Sequence, residues 1–130
     1  MLYQYCYLST APELSRDQVE AILASSARNN PANGITGLLV YNGRNFLQIL
    51  EGEEKALVSL MARIAKDPRH TGISYLDRRT IKQRSCPDWN MKRVVISEDV
   101  EKRREMLDAE LPETMDPGLR TIIMNFAVLN

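Results

Sequence analysis

The centre of the chain predicts a β-hairpin. An apolar run, GITGLLVY, is followed by Asn42-Gly43 and then by a second apolar run, RNFLQILEG. Asn-Gly supplies the positive φ angles of a tight type I′ turn, so the two runs are expected to pair as neighbouring strands. The continuously apolar first run indicates that its strand is buried.

The segments before and after this hairpin alternate between strand and helix patterns. Over residues 2–9, alternate positions carry different kinds of side chain, which is typical of a strand with two different faces. Ser15 and Gln18 have the spacing of a capping box, and the helix that they begin must stop by Pro31. The later patterns predict a helix over 54–67 and weaker strands over 73–83 and 91–97.

The order of these elements is β-α-β-β-α-β-β, which indicates an α+β fold. Two helices on one face of a mainly antiparallel sheet form the ferredoxin-like sandwich. Two more helical patterns follow, over 97–111 and 117–129, and the second has an apolar stripe that needs a partner. We therefore expect a domain over 1–97 and a helical extension over 98–130 that docks on the open sheet face, as a cap or as an output element.

Composition excludes several classes of protein. The 130 residues fit one domain, and no apolar run is long enough to span a membrane. One histidine and two cysteines provide neither a multi-histidine metal site nor a disulfide framework. Since MLYQYCYLST lacks the features of a signal peptide, a cytoplasmic location is expected.

Charge is unevenly distributed along the chain although the formal net charge is zero. Residues 1–60 carry 4 basic and 6 acidic side chains, residues 61–96 carry 9 and 3, and residues 97–130 carry 4 and 8. An acidic tail can lie over a basic middle, and solvated faces of opposite sign are an equal alternative. With few aromatic residues beside the basic ones, direct nucleic-acid binding is not predicted.

Gln48 is unusual for a core strand. Alternation places its amide on the same face as large apolar side chains, and burial without a polar partner costs about 1–3 kcal/mol. A hydrogen bond to a neighbouring loop would satisfy the amide, and so would the phenol of Tyr7 if the two strands are adjacent. Trp89 and Met91, before the last strand, are typical of a partial core.

Four polar side chains near the helix ends have both ordinary and functional interpretations. Asn30, next to a proline, is typical of a helix end or a turn. Arg63 lies at the edge of the apolar stripe of its helix, where its stem can pack while its charged head stays exposed, or where the small residues beside it leave room for a groove. Arg69 and His70 follow that helix, where they can complement its negative end or bind an anion.

Taken together, these segments resemble BLUF domains, the flavin-binding family of blue-light sensors. The resemblance covers about residues 2–96 and is carried by five motifs in order. These are Tyr7 in the first strand, SARNNPANGITGLL from Ser26 to Leu39, FLQILEG from Phe46 to Gly52, DPRH from Asp67 to His70, and W-x-M at Trp89 and Met91.

The resemblance implies a flavin held between the two helices, normally FAD, with FMN or riboflavin as alternatives. It implies that Asn30 binds the pyrimidine edge of the ring and that Gln48 lies between the ring and Tyr7. It further implies that Ser26, Arg63, Arg69 and His70 approach the flavin or its phosphates, and that Trp89 and Met91 transmit the signal.

Three hypotheses follow. The first is a light sensor without catalytic activity that signals to a separate effector protein, because no segment here has the length of an effector domain; self-association is also possible. The second is an acylphosphatase-like hydrolase on the same fold, with Arg63 or Arg69 binding phosphate. The third is an interaction module without flavin.

Overall fold

The computed structural model describes residues 1–11, 14–68, 71–97 and 99–129, without the side chain of residue 129. The element order is the predicted one, with the two expected tail helices. The elements are β1 (Leu2–Thr10), α1 (Arg16–Asn33), β2 (Thr36–Tyr41), β3 (Asn45–Glu53), α2 (Glu54–Lys66), β4 (Thr71–Ile81), β5 (Lys92–Val94), α3 (Arg103–Glu110) and α4 (Pro117–Leu129).

The described strands form one five-stranded sheet in the order β4-β1-β3-β2-β5. Adjacent strands pair antiparallel except for β2 and β5, which are parallel. β4 begins and ends two residues earlier than predicted, and β5, which pairs with β2, has only three residues where 91–97 was predicted. The α+β, ferredoxin-like architecture predicted from the sequence is confirmed.

The hairpin is confirmed, but its predicted type I′ turn is wrong. Three residues separate β2 from β3, and Gly43 is the residue in that turn with a positive φ, 92°. The side-chain carbonyl of Asn42 accepts hydrogen bonds from the backbone N–H groups of Arg44 and Asn45, at 3.0 and 2.8 Å. The asparagine side chain thus organises the turn without itself adopting a left-handed conformation.

Helix α1 continues past Pro31, contrary to the prediction that it stops there. A proline lacks only one backbone donor, so a last helical turn can include it when the end of the helix is satisfied otherwise. Here Gly34 adopts the left-handed conformation at φ 65° and donates to the carbonyl of Pro31, while Ile35 donates to the carbonyl of Asn30 at 3.0 Å. The helix therefore ends at Asn33.

The sheet has a different apolar layer on each face. On the face covered by α1 and α2, the buried cluster includes Tyr5, Tyr7, Leu39, Phe46, Leu50 and Leu57. On the other face, strand residues Leu38, Leu47 and Ile49 pack against Leu107, Leu119, Ile123 and Phe126 of the tail helices. The prediction that the tail covers the open sheet face is confirmed.

Two ion pairs join the basic middle of the chain to its acidic tail. Arg79 on β4 contacts the carboxylate of Asp116 at 3.0 Å, and Lys92 on β5 contacts Glu110 on α3 at 3.5 Å. The hydrogen bond from Arg79 lowers the pKa of Asp116, and a further hydrogen bond from the N–H of Leu119 acts in the same direction. The acidic tail therefore lies against the basic middle.

The two tail helices are also joined to each other. Arg120 on α4 donates to the carboxylate of Asp108 at 2.7 Å, and to the carbonyls of Leu111 and Pro112 at 3.3 and 2.7 Å. These contacts satisfy groups at the end of α3. No helix within the described ranges has the length and apolarity needed to cross a membrane.

Candidate functional site

A cavity of about 160 Å³ opens between α1 and α2. Its walls come from one stripe on each helix, at the i, i+3, i+4, i+7 spacing of residues that share a helical face. Gln48, from the central strand β3, forms part of its lining. The lining residues are Ile22, Ser25, Ser26, Asn29, Asn30, Gln48, Leu60, Arg63, Ile64 and Asp67.

Tyr7 and Gln48 meet as the sequence suggested. They lie directly opposite each other in the antiparallel pairing of β1 with β3, and the Tyr7 hydroxyl donates a hydrogen bond to Oε1 of Gln48. Tyr7 is fully buried, and burial raises its pKa, so the phenol stays protonated and can donate. The buried amide thus has a polar partner, and the alternative of a loop partner is not needed.

The other half of the Gln48 amide faces Met91. Nε2 of Gln48 donates to the Met91 sulfur at 3.5 Å, a contact with a weak acceptor. Gln48 is 4% exposed, so both polar atoms of the amide are held inside the protein. The amide therefore has a strong partner at Oε1 and a weak partner at Nε2.

Asn30 lies within α1, three residues before its last residue, and not at the end of a helix or in a turn as predicted. Its backbone carbonyl accepts from the N–H of Ile35, while its buried side chain donates through Nδ2 to the carbonyl of Asn90 at 2.7 Å. The same side chain lines the cavity. Asn30 therefore connects the cavity wall to the segment that carries Trp89 and Met91.

Trp89 and Met91 lie on opposite sides of the sheet. Trp89 packs against the apolar cluster beneath the tail helices, and the ammonium group of Lys92 lies 4.5 Å from the centre of its ring. Met91 packs into the cluster on the cavity side. The chain between them passes strand β2, where the N–H of Gly37 donates to the carbonyl of Trp89 at 2.8 Å.

The basic residues predicted for the site are only partly described by the structure. Arg63 lines the cavity and is exposed. Arg69 and His70 lie outside the described residues. Ser26 also lines the cavity.

Sequence reasoning missed Ser25 and Asn29. Both line the cavity, and Asn29 donates through Nδ2 to the hydroxyl of Ser25 at 3.4 Å. The available signal was their spacing. With Ile22, Ser26 and Asn30 they form a stripe on α1 that is polar where a helix packed on a sheet is normally apolar.

Comparisons with known proteins agree with this geometry. A sequence profile of the family described as sensors of blue light using FAD (BLUF) matches residues 2–92. The photoactivated adenylate cyclase subunit beta of Euglena longa is 37% identical over 87 residues, which are 65% of this chain and 10% of that protein. The chain likewise spans 10% of the length of two similar proteins from Euglena gracilis.

Two solved structures match over nearly the whole chain. BlrB, a BLUF protein in its dark state, is 31% identical with a TM-score of 0.76, over 96% of both chains. Klebsiella pneumoniae BlrP1 with FMN and cyclic diGMP is 29% identical with a TM-score of 0.81, over 98% of this chain and 35% of that one. The chain therefore belongs to the BLUF family of flavin-binding blue-light sensors.

Proposed function

We propose that this chain responds to blue light by rearranging the hydrogen bonds of Gln48 beside a bound flavin. The observation that carries the proposal is the buried Tyr7–Gln48 pair next to the cavity between α1 and α2. In a family whose domain is a sensor and not a catalyst, this arrangement favours the light sensor over the hydrolase and over the module without flavin.

The lining fits a flat heteroaromatic ring with one polar edge. Ile22, Leu60 and Ile64 supply apolar surface, while the amides of Asn30 and Gln48 supply donors and acceptors. We propose FAD as the flavin, with Arg63 near its phosphates and Ser26 beside the ring. Arg69 and His70 are proposed for the same phosphates on the motif alone.

The flavin supplies light absorption and an oxidising excited state. The protein supplies an amide that can occupy two positions. As described, the Tyr7 hydroxyl donates to Oε1 of Gln48; if the amide turns over, Nε2 donates to the phenol oxygen instead. Because a phenol oxygen can both donate and accept, the Tyr7–Gln48 contact can form in either orientation of the amide, and exclusion of water keeps the two orientations distinct.

We propose that the rearrangement of the Gln48 hydrogen bonds is transmitted from the site to the tail through Met91 and Trp89. Turning the amide replaces the donor that faces the Met91 sulfur with an acceptor, which removes that contact. Asn90 and Trp89 are continuous with Met91, and Trp89 packs under the tail. The tail helices over 98–130 then present the signal to an effector, separately from the sensor domain over 1–97.

Relatives in which the matched region is one part of a longer protein support the idea of an effector. The chain covers 36% of a solved bacterial light-regulated adenylyl cyclase, at 30% identity and a TM-score of 0.76. An effector in a separate protein, self-association and a cytoplasmic location stay predictions. Light scattering of the purified protein in darkness and under blue light tests self-association directly.

An absorption spectrum tests the proposed function. The purified protein, saturated with flavin, should show a flavin band that moves reversibly to longer wavelength under blue light. Tyr7→Phe and Gln48→Leu should each retain flavin and lose this shift, since each removes one partner of the buried pair. A normal reversible shift in either variant would show that the pair is not the switch.

Flavin binding itself is tested at Asn30. Asn30→Ala removes a side chain that lines the cavity, so flavin should wash out faster than from the unaltered protein. Asn33→Ala is the matched control, because Asn33 is exposed on the same helix and donates only to the carbonyl of Asn29 among the hydrogen bonds described. Equal flavin occupancy in the two variants after washing would argue against a binding role for Asn30.

A further inference from the structure

Glu51 is a fully buried acidic side chain that the light-sensing site does not use. It lies on β3, three residues after Gln48, on the face covered by the tail. Its carboxylate accepts from Nε2 of Gln4 at 3.0 Å and from the hydroxyl of Thr36 at 3.2 Å. A buried charge is tolerated only when it is well compensated, so the identity of its other donors matters.

The other two donors are consecutive backbone groups outside the sheet. The N–H groups of Ser85 and Cys86 donate to the two oxygens of Glu51, at 2.7 and 2.9 Å. Arg84, the preceding residue, donates to the Thr36 hydroxyl at 2.9 Å and to the carbonyl of Glu51 at 3.0 Å, which brings a positive charge to the same place. One carboxylate therefore holds the start of a loop against the central strand.

This loop is the one that carries the proposed output residues; we call residues 85–91 the Trp89 segment. Its first residue is held from the tail as well, because the Thr114 hydroxyl donates to the carbonyl of Ser85 at 3.0 Å. Its other end is held by neutral contacts: the N–H of Gly37 donates to the carbonyl of Trp89, Nδ2 of Asn30 donates to the carbonyl of Asn90, and the Gln48 amide donates to the Met91 sulfur. Hydrogen bonds to a charged group are about twice as strong as neutral ones, so the two ends differ in how firmly they are held.

We infer that Glu51 is a positioning residue, the fixed anchor of the Trp89 segment, about which the Trp89–Met91 end moves when the Gln48 amide changes orientation. The inference rests on the proposed function for the motion, and on the described contacts alone for the anchor. Glu51 and Gln48 lie on the same strand, so the anchor and the amide that changes orientation are held at a fixed distance from each other. A displacement at Met91 is then passed to Trp89 rather than absorbed by a shift of the whole loop.

Amide hydrogen exchange of the unaltered, flavin-loaded protein tests the anchor without any substitution. The amides of Ser85 and Cys86 should be protected in darkness and should change less than twofold under blue light. The amide of Gly37 should exchange at least fivefold faster in the light, because its acceptor is the moving carbonyl of Trp89. Ser85 and Cys86 exchanging as fast as Gly37 in the light would overturn the inference.

A substitution tests whether the anchor positions Trp89. Glu51→Gln places an NH₂ group where a backbone donor needs an acceptor, and Glu53→Gln is the control because Glu53 is exposed on the same strand. Trp89 is the single tryptophan of the chain, so its fluorescence reports on this segment alone. The acrylamide quenching constant in darkness should at least double in Glu51→Gln and stay unchanged in Glu53→Gln.

The flavin signal separates failure of the anchor from failure of the proposed function. Glu51→Gln should keep its flavin and its light-induced absorption shift while losing the light-induced change in Trp89 fluorescence. Unchanged quenching of Trp89 in Glu51→Gln would refute the anchor. Absence of any absorption shift in the unaltered protein would refute the proposed function instead. If Glu51→Gln does not fold, the hydrogen-exchange result decides the inference alone.

Discussion

The coupling between Tyr7 and Gln48 can be measured without light, by a double-mutant cycle on stability. Tyr7 is 0% exposed and Gln48 is 4% exposed, so neither side chain can replace a lost partner with bulk water. Tyr7→Phe leaves Oε1 of Gln48 without its donor, and Gln48→Leu leaves the phenol unpaired. Each should lower the free energy of unfolding by about 1–3 kcal/mol.

The double variant should cost less than the sum of the single ones. Replacing both partners with apolar groups removes the unpaired polar atoms, so we expect a coupling free energy of about 1–2 kcal/mol. Urea unfolding in darkness gives this quantity, at one fixed concentration of free flavin because a ligand that binds only the folded state adds stability.

Tyr5 provides the matched control for this cycle. It lies on the same face of β1 and is also buried, at 7% exposure. Tyr5→Phe combined with Gln48→Leu should therefore be additive. Additivity within about 0.3 kcal/mol for the Tyr7 pair as well would refute the claim that the phenol and the amide depend on each other.

Three further predictions concern the tail and the thiols. Ile123→Ala should lower the free energy of unfolding by about 2–4 kcal/mol in urea and leave the absorption shift intact; a smaller loss would mean that the tail is not part of the core. Burial raises the pKa of Cys6 and of Cys86 to about 12, so neither should react with iodoacetamide at neutral pH until urea unfolds the protein; alkylation of the native protein would contradict this. The pKa of Asp116 is lowered by Arg79, so this carboxylate stabilises the fold above about pH 4, and the stabilisation is lost as the pH falls through the lowered pKa. The Tm difference between Asp116→Asn and the unaltered protein should therefore vanish below that lowered pKa. A Tm difference that persists there would contradict the ion pair.

Periodicity predicted the fold well because most segments have the hydrophobic pattern of only one type of secondary structure. The alternation of residues 2–9 and the apolar hairpin runs indicated which side chains of each strand share a face, and the observed pairing of β1 with β3 places Tyr7 opposite Gln48. The docking of the tail followed from an apolar stripe that had to be buried. Such features are encoded locally, so the sequence alone carries them.

Two of the deviations occur where a second local interaction overrides the expected one. Pro31 normally ends a helix, but the amides of Gly34 and Ile35 satisfy the last carbonyls and allow the helix to go on. Asn42 has the composition of a type I′ turn, yet its side chain takes over two backbone donors. The role of Glu51 was not predicted for a different reason, because the backbone N–H groups that donate to it belong to residues more than thirty positions away.

The side chain of Arg120 has a consequence for whatever recognises the tail. It donates at once to the carboxylate of Asp108 and to two carbonyls beyond α3, so the two tail helices are expected to move together as one unit. A tilt of the tail helices that starts at their contact with Trp89 should therefore also change the position of the far end of α4. A binding protein would recognise the orientation of the two helices as a pair. Loss of the Arg120 contacts should therefore weaken signalling to that protein while the absorption change at the flavin site is retained.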